Sequence, residues 1–68
     1  MACIDVAPET PEAAEAVVAA LSELHEAPPV LAFSTEFSVK VLRFEHVSNQ
    51  EAFTRLLGQL NVPYAVTH

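Results

Sequence analysis

Apolar and polar residues alternate at the start of the chain. In residues 2–7, ACIDVA, Ala2, Ile4 and Val6 fall on one side and Cys3, Asp5 and Ala7 on the other. A period of two predicts a short strand. The period changes after Thr10. At about 100° per residue, Ala13, Val17, Ala20, Leu21, Leu24 and Ala27 gather on one side of a helix, and Glu12, Glu15, Ser22, Glu23 and Glu26 on the other. Thr10 suits the N-cap, Pro11 the first helical position, and Glu12 the positive end of the helix dipole. Pro28 and Pro29 stop the helix.

VLAFS and SVKVLRFEHV, rich in valine, leucine and phenylalanine, read as two further strands with TEFS as the reversal between them. Leu42 and Phe44 share one face of the second; Val39, Val41 and Arg43 share the other. Ser48 and Glu51 have the S-x-x-E spacing of a capping box. The helix it opens runs to about Leu60, with Ala52, Phe53, Leu56, Leu57 and Leu60 as its apolar stripe. Asn61 and Pro63 end it, and YAVTH closes the chain as a strand. Pro63 places that strand at a sheet edge.

The order strand, helix, strand, strand, helix, strand predicts an α+β class. The expected architecture is a ferredoxin-like βαββαβ sandwich: a four-stranded antiparallel sheet with both helices on one face. The first and third strands are expected in the centre. If residues 2–7 do not pair, the alternative is αββαβ with a three-stranded sheet. The expected core is Val17, Leu21, Leu24, Phe33, Leu42, Phe44, Phe53, Leu56 and Leu60.

Composition sharpens this picture. The 68 residues, 51% hydrophobic and 18% charged, make one domain over 1–68 that packs. With Leu31, Phe33, Leu42 and Phe44 turned inward, Val30, Ala32, Val39 and Val41 form a second apolar sheet face, the candidate surface for a homodimer. Cys3 is the lone cysteine, so a reduced, cytoplasmic setting is expected. No apolar run is long enough to cross a bilayer, and MACIDVAPE lacks the features of a signal peptide.

The charge is unevenly placed. Residues 1–29 hold Asp5, Glu9, Glu12, Glu15, Glu23 and Glu26 with no base, which sums to −6. Residues 30–68 balance Glu36, Glu45 and Glu51 against Lys40, Arg43 and Arg55. An acidic surface of this kind repels nucleic acid and anionic membranes. It also costs stability: like charges at i, i+3 and carboxylates at a helix C-terminus together oppose the helix by roughly 1–3 kcal/mol. A solvated helix face accounts for the glutamates in part, but that explanation favours mixed signs. Glu12, Glu15, Glu23 and Glu26 are expected to span about 21 Å of the helix at ~1.5 Å per residue, an approximate copy of a sparse phosphate strand. These four are the candidate residues for binding a basic protein surface.

Other chemistry is thin. His25, His46, His68 and Cys3 have neither i, i+4 nor C-x-x-C spacing, so no metal site or cofactor is expected. Cys3 lies near Asp5 and the acidic helix in sequence, the wrong setting for a reactive thiolate. Nothing pairs carboxylates in an apolar pocket, and no enzyme activity is expected. Lys40, Arg43 and Phe44 faintly echo an RNA-binding strand, but Phe44 shares a face with Leu42 and reads as core. In size, acidity and lack of motifs the chain resembles small phage-encoded inhibitors such as anti-CRISPR proteins. That resemblance implies a non-catalytic inhibitor of a nucleic-acid-binding protein or complex, acting by charge mimicry. The alternative is a regulatory domain that dimerises through its sheet and binds a small ligand.

Overall fold

Thr10 starts the first helix as its position predicts: the Ala13 N–H donates to Thr10 Oγ1 at 3.0 Å, and Pro11 follows in the first turn. The computed structural model describes residues 2–67. They form β1 (Ala2–Val6), α1 (Pro11–Leu21), β2 (Val30–Ser34), β3 (Val39–Val47), α2 (Gln50–Leu60) and β4 (Tyr64–Thr67). The strands make one antiparallel sheet in the order β2-β3-β1-β4, so β1 lies in the interior of the sheet, paired on both sides. The three-stranded alternative is thereby overturned.

Two helix boundaries depart from the sequence expectation. α1 ends at Leu21, not near Ala27. Ser22 caps it, with its N–H donating to Val18 O, and the N–H groups of Leu24 and His25 both turn back to Leu21 O. The last turn contains no base to match the dipole, and the carboxylates that follow are disfavoured there. The chain therefore leaves the helix early and approaches Pro28 and Pro29 as a loop. The capping box of α2 does not form either. Asn49 is the N-cap and makes no side-chain capping bond, so Ser48 lies one position too early and Glu51 one too near the start. The cause lies in β3. Ala2 pairs with Val47 but Ile4 with Phe44, so β3 carries an extra residue opposite β1, and His46 takes φ 58° there. The bulge shifts the chain and the helix starts one residue late. At its other end Asn61, at φ 56°, makes the left-handed turn that lets Val62 N–H reach Leu57 O.

One core joins the sheet to both helices. Ile4 and Val6 from β1, Phe44 and Val47 from β3, Val17 and Leu21 from α1, and Phe53 and Leu57 from α2 are all buried in it, with Val62 closing one side. Phe44 and Phe53 meet edge to face at 5.2 Å. Leu42, Leu56 and Leu60 pack around this cluster as half-buried members. Leu24 and Phe33 do not belong to the core. Leu24 follows the helix end and is 38% exposed; Phe33 sits on edge strand β2 and is 61% exposed. The small alanines of α1 leave that outer strand uncovered on the helix side.

The other face of the sheet differs from the expected apolar dimer face. Val30 and Val39 are exposed and Ala32 is half-buried, but Val41 is already buried within the chain. The turn over residues 35–38 folds toward this face, so that Thr35 and Glu36 line one cleft with Asp5 and Arg43. Val30, Ala32, Val39 and Val41 thus do not form one continuous exposed patch.

Candidate functional site

Asp5 and Arg43 stand directly opposite each other on the central pair of strands. Arg43 Nε donates to Asp5 Oδ1 at 2.8 Å and Nη2 to Oδ2 at 3.1 Å, a side-on, two-point contact. Asp5 is 7% exposed, so its charge depends on this partner. The Asp5 carboxylate, first by hydrogen bonding and then by charge, raises the Arg43 pKa above its ordinary value and keeps the guanidinium charged. From sequence, Arg43 is assigned only to the strand face of Val39 and Val41, with no partner. The alternation puts one acid and one base each on the outward side of a central strand, but it does not give the register between the two strands. The β3 bulge sets the register that brings them together.

That pair changes the charge balance on the surface. With Asp5 and Arg43 tied to each other, eight of the nine carboxylates and two of the three bases remain. All eight are glutamates and all eight are exposed, facing only Lys40 and Arg55 as exposed bases. Glu12 and Glu15 lie on α1. Glu23 and Glu26 lie beyond its end, so the straight 21 Å line of four carboxylates on one helix does not exist. Glu23 instead lines a groove between the helices together with Arg55 from α2, which makes that part of the surface mixed in sign. Glu9 precedes α1, Glu36 sits in the turn, Glu45 on β3 and Glu51 in the first turn of α2.

The histidines are in different settings. His25 turns its ring into the core, edge-on to Phe53 at 5.9 Å and to Phe44 at 6.5 Å. Its Nε2 is buried without a hydrogen-bond partner. His25 is thus a half-buried aromatic contact at the edge of the core with one unmet polar atom. His46 is exposed at the bulge, Cys3 is half-buried, and His68 lies outside the described residues. Among the described residues, no three His, Cys, Asp or Glu side chains gather to hold a metal ion, and no helix is long and apolar enough to cross a membrane.

The second face of the sheet holds a polar cleft. Asp5, Arg43, Ser34, Thr35, Glu36 and Thr67 line a cleft of about 300 Å³. Ser34 is buried there, and its Oγ accepts from the Phe37 N–H at 3.2 Å. Because Asp5 engages Nε and Nη2 of Arg43, Nη1 is left without a protein partner among the described residues. No family model, no curated protein and no solved structure matches this chain.

Proposed function

We propose that this chain is a non-catalytic, acidic protein-binding module built on a ferredoxin-like sandwich, and that it engages a basic surface of a nucleic-acid-binding protein or complex as an inhibitor by charge mimicry. The βαββαβ order, with β1 and β3 interior, supports the fold reading. One observation carries the functional reading: eight exposed glutamates against two exposed bases, the third base being held by Asp5. Such a surface steers a cationic partner and rejects nucleic acid itself. The acidic field surrounds the start of α1 and the loop after it, so the mimicry is of charge density and not of strand geometry.

The test is retention of host-lysate proteins on the immobilised chain over a salt series. Basic nucleic-acid-binding proteins should be retained at about 50 mM salt and released by about 0.5 M, where screening shortens the Debye length severalfold. Retention of neutral proteins only, indifferent to salt, would sink the reading. The cleft around Arg43 favours a second one, a regulatory domain for a small ligand, since a preorganised guanidinium with a free edge suits a carboxylate or phosphate. Binding of that kind would survive substitution of the surface glutamates.

A further inference from the structure

Strand β2 is an edge strand of five residues, VLAFS, with no charge, no proline within it and no bulge in its pairing with β3. Those are the features that normally keep a sheet edge from pairing with another chain. The strand also carries the two most exposed large apolar side chains among the described residues, Leu31 at 76% and Phe33 at 61%. Leu31 stands opposite Leu42 and borders a groove along α1 with Ala14, while Phe33 stands opposite Lys40 and also lines the Arg43 cleft at the end of the strand. In a protein with eight exposed glutamates, this uncharged strip is where a like-charged second copy meets the least repulsion.

We propose that β2 pairs antiparallel with β2 of a second copy about a two-fold axis at Ala32, giving one continuous eight-stranded sheet. The register follows from the chain. Pro28 and Pro29 precede the strand and the turn over residues 35–38 follows it, so only pairing centred on Ala32 uses all five residues. In that register Ala32 opposes itself, Val30 opposes Ser34, and Leu31 opposes Phe33 twice over. The two exposed side chains then cover each other, as cross-strand neighbours on one face do. A two-fold interface requires such self-complementarity.

The area fits a dimer of modest strength. Side chains of this size present on the order of 150–200 Å² when free, so Leu31, Phe33 and half-exposed Val30 offer roughly 300 Å² per copy. That stays below the ~600 Å² per copy of standard specific pairs, so the dimer is a weak one. Association is therefore expected only at the upper end of a concentration series. The inference is independent of the proposed function: a dimer and a monomer could present the same acidic surface.

The register makes a sharp test. In a Cys3→Ser background, Ala32→Cys places two thiols directly opposite, at the ~4.5–5.5 Å Cα spacing of facing residues, within disulfide reach. Val30→Cys sets its two copies about 13 Å apart along the strands. Mild oxidation should cross-link the first variant nearly completely and the second hardly at all; equal cross-linking of both, or of neither, would overturn the proposal. Sedimentation of the unaltered chain at about 10–500 μM should show a species of twice 7.4 kDa that Leu31→Lys with Phe33→Lys abolishes while the circular dichroism spectrum stays unchanged. A 7.4 kDa species alone at every concentration, or a dimer indifferent to the lysines, would remove it as well.

Discussion

His25 keeps an imidazole nitrogen in the core with nothing to bond it, and a buried polar atom without a partner costs about 1–3 kcal/mol. His25→Phe removes that atom while keeping an aromatic edge for Phe44 and Phe53, so it should stabilise the fold by about 1 kcal/mol in a denaturant titration; His25→Ala, which also loses the ring contacts, should destabilise it. If both variants lose stability alike, the ring is held by a bond through its second nitrogen. The Asp5–Arg43 pair makes the opposite case. Arg43→Met leaves a nearly buried carboxylate unpaired and should lower the thermal midpoint by roughly 5 °C or more. Asp5→Val with Arg43→Val, which suits a sheet and strands no charge, should recover most of the loss. A double variant no better than the single would mean that the pair contributes packing and not charge compensation. Neither residue's partner was legible from spacing, because a cross-strand contact depends on register, and register here depends on a bulge at His46.

At the scale of elements, periodicity was a sound guide. All six elements lie where the alternating and helical patterns place them, including β1, and Thr10 caps α1 as expected. Their ends were less legible. The apolar stripe through Leu24 and Ala27 extends α1 on paper, yet carboxylates at its negative end and the turn of His25 into the core shorten it. Ser48 and Glu51 have capping-box spacing, but the bulge moves the helix start by one residue. α2 nevertheless has room for improvement. Gly58 is exposed inside the helix, and a Cβ added there would meet nothing within 4 Å. Gly58→Ala should therefore stabilise the protein by about 0.5–1 kcal/mol through backbone entropy, seen as a rise of roughly 2–8 °C in the thermal midpoint. No rise at all would show that α2 is frayed at that turn in solution.

For the whole molecule, the hydrophobic pattern identified part of the core and missed Ile4, Val6, Val47, Leu57 and Val62, which are buried in it. Val17, Leu21, Phe44 and Phe53 are fully inside, and Leu42, Leu56 and Leu60 partly so. Phe33 is outside because a sequence pattern does not say which strand lies at the edge beyond the reach of α1. The acidity is likewise legible as a sum, while its arrangement depends on where α1 ends and on Asp5 claiming Arg43. That arrangement selects the variant that tests the proposed function. Glu23 is left in place because it shares a groove with Arg55; Glu15 and Glu26 are exposed, and neither is in an ion pair. Glu15→Lys with Glu26→Lys changes the net charge from −6 to −2, two units at each of two positions. Exposed substitutions of this kind should leave stability within about 0.5 kcal/mol, and the change at 15 relieves the like-charge contact with Glu12. Capture of basic proteins at about 50 mM salt should fall sharply, mainly through slower association, since long-range charge governs encounter more than residence. The unaltered chain in high salt should mimic the variant. If the variant melts like its parent and retains the same proteins as well, the glutamates serve only to solvate the helix and loop surfaces, and partner binding has to be sought at the β2 edge or the Arg43 cleft.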